Sequence, residues 1–162
     1  MDLTILRRVT EEMIPFNKFL GVRVLLLEPG RVELEIPWRD ELVGDASRPA
    51  MHGGVISTLA DTAGGICIWG ALESPGARVS TIDLRVDYLR PGRPEALIAE
   101  ALAVRVGRSV GVADVRLFHA LPAIGPSGAT SGVTSGVNRE LIATGKGVYS
   151  IKTPRIPPSL RQ

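Results

Sequence analysis

One apolar segment constrains the fold of this chain most: between Arg48 and Glu73, Asp61 is the only residue with a formal charge. The stretch from Gly53 to Leu72 is too long for a strand and is rich in Ala, Leu and Ile, which predicts a helix. Its apolar residues fall on every face, and a helix that is apolar all round is buried all round. We therefore expect the remaining chain to wrap around it, and a second copy to close what the wrapping leaves open.

The segments around this helix are predicted to form a sheet. Pro29 and Gly30 suit the two central positions of a type II turn, which makes the first two strands a hairpin. Gly107-Arg108 is a second hairpin turn, of the two-residue kind. The predicted strands are Val22–Leu27, Val32–Ile36, Thr81–Leu89, Leu97–Val106, Ser109–His119 and Leu141–Ile151. We expect an α+β fold in which a curved antiparallel sheet of about six strands wraps one long central helix.

The predicted strand Thr81–Leu89 alternates between apolar and polar residues. Leu84 and Tyr88 belong to the apolar set, whereas Thr81 and Asp83 belong to the polar set. Successive side chains of a strand point to opposite faces of the sheet. Thr81 and Tyr88 are therefore expected on opposite faces.

The remaining organisation follows from spacing and composition. Amphipathic spacing predicts an N-terminal helix over residues 3–14, ending near Pro15. Residues 121–137 are rich in Gly and Ser without periodicity, which predicts a flexible insertion. Residues 1–151 are expected to form a single domain, and residues 152–162 a disordered tail.

Composition argues against several partners and kinds of site. The formal net charge is +2, no Lys/Arg block is long enough for a nucleic-acid arm, and aromatic residues are few. One cysteine and two histidines argue against a disulfide and a zinc site, and we expect no metal or cofactor. The N-terminus lacks the order of a signal peptide, and Asp61 interrupts the best candidate for a membrane span. A cytoplasmic protein without nucleic-acid or membrane partners is expected.

Asp61 and the glycines before it form the candidate site. A carboxylate in an apolar segment is costly unless it is paired, so Asp61 either reaches solvent or a local amide, or serves as a base or nucleophile. Gly53-Gly54 opens the helix, where free backbone amides can stabilise an oxyanion. At about 1.5 Å per residue, Gly53 and Asp61 are about 12 Å apart, too far to act on one group. If both are catalytic, each site must straddle two antiparallel copies of the chain.

Other candidate bases and nucleophiles have less support. His52 could act as a general base, but hydrogen bonds to the backbone that fix its loop are the favoured interpretation. The chain has no Gly-x-Ser-x-Gly motif and its other histidine, His119, ends a strand, so a Ser-His-Asp triad is poorly supported. Cys67 lies among apolar neighbours, which indicates a packed thiol.

Two motifs resemble a known family. The run His52-Gly53-Gly54-Val55-Ile56-Ser57-Thr58-Leu59-Ala60-Asp61 resembles the H-G-G-x-x-x-x-x-x-D segment of PaaI-like hotdog thioesterases. The segment Thr81–Pro91 is similar to the strand that follows in that family, and the order of elements matches over roughly Phe19 to Ile151. The resemblance implies a hotdog fold that forms dimers and often tetramers. It also implies hydrolysis of acyl-CoA thioesters.

The resemblance also implies roles for individual residues. Asp61 would activate water or attack the thioester, the Gly53 amide would polarise its carbonyl, and Thr81 would orient the water. The candidate catalytic residues are Asp61, Gly53, Thr81 and His52. The candidate substrate-binding residues, several of which match positions along the CoA channel, are Gly54, Asp83, Tyr88, Arg105, Arg108, Ser109 and Val110. The two arginines suit phosphates, although solvated hairpin charges are an equal alternative.

The chain departs from the family upstream of His52. Family members often have an Asn shortly before the histidine, whereas this chain reads Gly44-Asp45-Ala46-Ser47-Arg48-Pro49. Asp45, Ser47 or Arg48 could substitute for it, or the mechanism could rely more on Gly53. Two alternatives to hydrolysis stay open: a non-catalytic acyl-CoA-binding module, and an enoyl-thioester hydratase or dehydratase that would use His52.

Overall fold

The computed structural model describes residues 2–74, 76–120 and 139–154. The predicted insertion at 121–137 and residues 155–162 of the predicted tail lie outside these ranges. The predicted fold is confirmed, because one long helix lies against a six-stranded antiparallel sheet. Among the helices in the described part of the chain, none is long and apolar enough to cross a membrane.

The elements follow one another in an order close to the predicted one. The helical segments of the described residues are α1 (Leu3–Arg8), a π-helical segment (Val9–Met13), α2 (Pro15–Leu20), a 3₁₀ turn (Asp40–Leu42) and α3 (Gly53–Gly70). The strands are β1 (Arg23–Glu28), β2 (Arg31–Ile36), β3 (Val43–Asp45), β4 (Ala50–Met51), β5 (Arg78–Tyr88), β6 (Leu97–Val106), β7 (Val110–Ala120) and β8 (Arg139–Lys152). The large sheet has the order β1-β2-β6-β7-β8-β5, and β3 pairs with β4 in the loop before α3. That small pair was not predicted.

The inner face of the large sheet packs against α3. Val32, Leu34 and Ile36 alternate along β2 and are fully buried, so they share the face that packs against the helix. Leu59 and Ala63 of α3 are fully buried in the same apolar core. Burying a side chain the size of Leu or Ile contributes about 1.5–3 kcal/mol to the free energy of unfolding. Burial of this kind on both elements holds the helix in the curve of the sheet.

One face of α3 stays partly open within a single chain. Ser57, Thr58, Asp61, Thr62 and Trp69 follow the three- and four-residue spacing of one helix face, and all are only half-buried. This is the side that a second copy was expected to cover, and that expectation stays a prediction. The face that the sheet leaves uncovered carries mainly small and polar side chains, and it includes the candidate carboxylate.

The two edge strands of the large sheet differ in whether their outward backbone groups have hydrogen-bond partners. At β1, Arg7 Nη1 donates a hydrogen bond to Val24 O over 2.7 Å, and Val24 N–H donates to Glu11 Oε1 over 2.7 Å. The N-terminal helical segment thus satisfies backbone groups that an edge strand otherwise leaves unpaired. At the opposite edge, β5 pairs with β8 and with no other strand of the described residues.

The N-terminal helical region continues beyond its predicted end. Pro15 was expected to end the helix, but it begins α2 at the first turn, where its missing N–H costs nothing. Ile14, with φ of −85° and ψ of 110°, is extended and separates the two parts. Asn17 Nδ2 donates to Thr10 O over 3.0 Å and ties α2 to the preceding segment.

A bulge at Ile82 reverses the predicted faces of β5. Thr81 and Asp83 pair with consecutive residues of β8, which leaves Ile82 as an extra residue in β5. One inserted residue moves every following side chain to the other face of a sheet. The prediction that Thr81 and Tyr88 lie on opposite faces is therefore wrong, because both contact α3.

Both predicted hairpin turns form. Gly30 has φ of 77°, the positive value that the third position of a type II turn requires. In the second hairpin, Gly107 N–H donates to Val110 O over 2.8 Å. That bond centres the turn on Arg108 and Ser109, one residue later than predicted.

Candidate active site

Asp61 lies near the middle of α3, on its half-buried face. Thr81 Oγ1 donates to Asp61 Oδ1 over 2.7 Å, a length typical of a hydroxyl bound to a carboxylate. No other donor in the described part of the chain bonds to this carboxylate. One carboxylate oxygen is therefore held by Thr81, and the other is open to a water molecule or a substrate.

Tyr149 holds the backbone of Asp61 by a hydrogen bond. Its hydroxyl donates to the main-chain oxygen of Asp61 over 3.1 Å, and the side chain is 1% exposed. A Cβ atom at Gly64 or Gly147 would overlap the Tyr149 hydroxyl, so these two glycines make room for it. Burial, together with the negative charge of Asp61, raises the pKa of Tyr149. The Tyr149 phenol therefore stays protonated and donates its hydrogen bond to the backbone of Asp61.

The first turn of α3 leaves one backbone donor free. His52 Nδ1 accepts from Gly54 N–H over 2.9 Å, and His52 O accepts from Val55 N–H over 2.9 Å. Gly53 N–H has no acceptor among the described residues. His52 therefore caps the helix, as the favoured interpretation has it, and the proton of its neutral form is assigned to Nε2. Gly54 keeps no free amide for a substrate, whereas Gly53 does.

Tyr88 reaches the same end of α3 from the end of β5. Its hydroxyl donates to Gly53 O over 3.1 Å, and its ring lies 3.5 Å from where a Cβ of Gly53 would stand. Thr81, earlier on the same strand, contacts Asp61. Strand β5 thus runs alongside α3 and contacts it at two separate points. Gly53 and Asp61 of one chain remain about two helical turns, or about 12 Å, apart.

A cavity begins at Asp61 and follows the half-buried face of α3. Its volume is about 220 Å³. The residues along its length include Asp61, Gly65 and Trp69 on α3, Val79 and Thr81 on β5, and Ile14 before α2, and its other lining residues are Asn17, Thr62, Ile66 and Tyr149. Because Asp61, Gly65 and Trp69 are four residues apart, they lie one above another on successive helical turns. The carboxylate therefore borders an elongated space with mainly apolar walls.

The residues predicted to line a CoA channel do not meet Asp61 within one chain. Arg105, Arg108, Ser109 and Val110 are exposed at the turn between β6 and β7. Neither arginine side chain forms a hydrogen bond or ion pair with the described residues. Asp83 is exposed on β5 and follows the bulge, so it lies on the face turned away from Thr81.

The side chains that could replace the family's Asn lie in the segment upstream of His52. Asp45 accepts from the Ser47 hydroxyl over 2.6 Å and from Arg48 Nε over 3.3 Å. Hydrogen bonds from Ser47, and then from Arg48, hold the pKa of Asp45 below its usual value. The side chains of Ser47 and Arg48 thus both bond to Asp45.

The remaining candidates are structural in the described part of the chain. Cys67 is fully buried, and burial raises its pKa to about 12, which agrees with a packed thiol. His119 is also fully buried, with Nδ1 2.9 Å from Ala96 O and Nε2 accepting from Arg93 N–H over 2.9 Å. Both ring nitrogens of His119 are therefore occupied by backbone groups.

Sequence reasoning missed Tyr149 and Ile14. The glycines that accommodate Tyr149, Gly64 and Gly147, are visible in the sequence, but their common neighbour depends on the packing of β8 against α3. The predicted helix over residues 3–14 makes Ile14 part of a continuous helix, whereas the break before Pro15 turns it toward the cavity. Both positions depend on contacts between segments that are far apart in the sequence.

Comparisons with known proteins give a consistent result. The family model of the thioesterase superfamily matches residues 49–122, a range that contains α3 and β5. The medium/long-chain acyl-CoA thioesterase YigI of Escherichia coli is 36% identical over 118 residues, covering 65% of this chain and 76% of that protein. A Halobacterium salinarum protein named as a candidate esterase is 48% identical over 99 residues, covering 60% of this chain and 65% of its own length.

A solved structure extends the similarity to the fold. The crystal structure of a thioesterase family protein from Silicibacter pomeroyi superposes with a TM-score of 0.78 at 25% identity. The match covers 94% of this chain and 99% of that protein. The relatives whose names give an activity are thus thioesterases or esterases.

Proposed function

The chain belongs to the thioesterase superfamily, and on that premise we propose that it hydrolyses acyl-CoA thioesters to the free acid and CoA. The predicted family and enzyme class, a hydrolase that acts on thioesters, are confirmed by the matches. The PaaI-like group within the family stays a prediction. The observation that carries the proposal is the Asp61–Thr81 pair at one end of a mainly apolar cavity.

The proposed chemistry uses the open oxygen of Asp61. In one version the carboxylate takes a proton from water as the water oxygen attacks the thioester carbonyl carbon, and the carbon–sulfur bond then breaks to release CoA thiolate. In the other version Asp61 attacks the carbonyl itself, CoA leaves, and water hydrolyses the resulting anhydride. Thr81 fixes the carboxylate in either case.

The negative charge that develops on the carbonyl oxygen needs a donor, and the Gly53 N–H suits it. It is the donor in the first helical turn that His52 leaves free, and the positive end of the helix dipole lies there. Because Gly53 and Asp61 of one chain lie about 12 Å apart along α3, the donor comes from a second copy. The half-buried face of α3 and the open edge of β5 lie side by side, which supports pairing of two copies there.

The CoA moiety carries several phosphates, and unpaired arginines suit them. Arg105 and Arg108 are exposed and free of ion pairs with the described residues, unlike Arg116, which contacts Glu100. We expect Arg105→Ala and Arg108→Ala to raise KM for acyl-CoA more than they lower kcat. The proposed roles of Asp83, Tyr88, Ser109 and Val110 in CoA binding await the same measurement.

The central experiment replaces Asp61 by Asn and follows thiol release from acyl-CoAs of different chain length. Asn keeps the size of the side chain but removes the base and nucleophile, so kcat should fall by at least about 100-fold. Asp114→Asn is the matched control, because Asp114 is exposed and pairs with Lys146 away from α3. Unchanged turnover in Asp61→Asn would exclude the proposed role. Binding of acyl-CoA without thiol release by the wild type would instead support the non-catalytic alternative.

A further inference from the structure

The cavity beside Asp61 has a shape that bears on substrate choice. It extends over two turns of α3, from Asp61 past Gly65 to Trp69, which is about 12 Å of helix. Val79 of β5 forms the facing wall, and Ile14 comes from the N-terminal helical region. An extended acyl chain whose thioester carbonyl lies at Asp61 would run along this axis.

The volume of the cavity limits the acyl group. A methylene group occupies roughly the ~30 Å³ that one water molecule takes up in the liquid. A volume of about 220 Å³ is therefore enough for about six to eight carbon atoms. That space suits a medium-length chain or a single aromatic ring, and the rest of a longer chain would extend beyond it, because the cavity opens to solvent.

Gly65 stands at the middle of the cavity and keeps it open. A Cβ at this position would lie 3.5 Å from Tyr149 Cε1, which is ordinary van der Waals contact. The helix thus tolerates a side chain at Gly65, and Ala has a higher helix propensity than Gly. The neighbouring Gly64 differs, because a Cβ there would overlap the Tyr149 hydroxyl. Packing therefore requires a glycine at position 64, whereas at position 65 the small residue leaves space for a ligand.

We propose that Gly65 and Ile14 determine which acyl chains this enzyme accepts, with Gly65 setting the width of the acyl subsite and Ile14 its depth. The inference rests on the proposed thioesterase function. A side chain at position 65 blocks the passage from Asp61 to Trp69, so acyl groups that extend past the first helical turn are excluded. Ile14 also lines the cavity, so shortening its side chain enlarges the space for longer chains.

The test measures kcat/KM for CoA thioesters of four, eight, twelve and sixteen carbons. For Gly65→Val we expect kcat/KM for the eight-carbon substrate to fall by about 10- to 100-fold, since mismatched methylene groups in a pocket have effects of this size. The value for the four-carbon substrate should stay within about threefold, and Gly65→Ala should give a smaller change in the same direction. Ile14→Ala should raise the twelve-carbon value relative to the eight-carbon value.

Gly70→Ala is the matched control. Gly70 ends α3 outside the cavity, and its Cβ would lie 3.5 Å from Leu6 Cδ2, again an ordinary contact. It should leave the chain-length profile unchanged. Thermal melts check that every variant is folded. If Gly65→Val does not fold, the chain-length profile of Gly65→Ala tests the proposal in its place.

The possible results distinguish a failure of the proposed acyl subsite from a failure of the proposed thioesterase function. Equal loss for all chain lengths in both Gly65 variants, or a wild-type preference for sixteen carbons that neither variant alters, would overturn the assignment of the cavity. If the wild type released thiol from none of the substrates, the proposed function would fail instead. The assignment of the cavity would then be tested by binding of free octanoate, measured as a rise in Tm. The assignment requires that octanoate raise the Tm of the wild type and of Gly70→Ala, and that it raise the Tm of Gly65→Val less.

Discussion

The hydrogen bond from Thr81 to Asp61 gives the sharpest prediction, because it can be removed without changing the size of the side chain. Thr81→Val replaces the hydroxyl by a methyl group and keeps the β-branched shape that suits a strand. The 2.7 Å bond to Asp61 Oδ1 is lost, and the carboxylate can then rotate away from the cavity. Thr81→Ser keeps the donor and serves as the conservative partner.

The size of the effect follows from the kind of bond and from its exposure. A hydrogen bond to a charged group contributes about 1.5–3 kcal/mol when buried, and this one is exposed, so we take the lower end. If that energy holds Asp61 in its reactive position, kcat falls by about tenfold. Stability changes less, because water can replace the donor at an exposed site. We expect the free energy of unfolding to change by less than about 1 kcal/mol, which is a Tm shift of about 2–4 °C at most.

The assay compares kcat, KM and Tm for the wild type and both variants with an eight-carbon acyl-CoA. The expected pattern is a tenfold lower kcat in Thr81→Val, an almost unchanged KM, and recovery to within about threefold in Thr81→Ser. Wild-type kcat in Thr81→Val would show that the hydroxyl does not position the carboxylate. An equal loss in both variants would show that kcat depends on the packing of this side chain and not on its hydroxyl, and would also refute the reasoning.

Three further predictions concern the groups around the site. Gly64→Ala should lower the free energy of unfolding by about 1–3 kcal/mol, because its Cβ overlaps the Tyr149 hydroxyl, and a chemical denaturation curve against Gly65→Ala measures the difference. Tyr149→Phe should cost about 0.5–1.5 kcal/mol by the same measurement, since one hydrogen bond to Asp61 O is lost; no loss at all would mean that the bond is not formed in solution. His52→Ala should lower Tm by several degrees through loss of the helix cap, and His52→Asn, which can also cap, should restore both Tm and turnover. Loss of turnover in a well-folded His52→Asn would instead favour a general-base role for His52.

The large features of the fold could be predicted because they depend on local patterns. An apolar stretch of helical length, alternating strands and a Pro-Gly turn each specify their own conformation. The uncovered face of α3 could not be predicted in the same way. Ser57, Thr58 and Thr62 are small enough to suit either a buried or an open surface, and the coverage of the sheet decides between them.

The composition of the site was only partly accessible from the sequence. Asp61 and Gly53 follow from charge and from helix position, but the contact between Asp61 and Thr81 depends on the bulge at Ile82. A strictly alternating pattern gives no indication of an extra residue, and so it predicted the wrong face of the sheet for Thr81. Tyr149 is farther still from local information, since 88 residues separate it from the backbone oxygen that it binds.

The unequal edges of the sheet limit how copies of this chain can add to one another. A strand edge with free backbone groups accepts further strands, and a molecule with two such edges can polymerise without end. Here Arg7 and Glu11 occupy both backbone groups of Val24, so β1 is blocked at that residue, whereas no described strand pairs with the outer side of β5. A further strand therefore adds more easily at β5 than at β1. The N-terminal helical region thereby acts as a barrier to sheet growth at β1, and losing its two contacts would leave both edges of the large sheet open to addition.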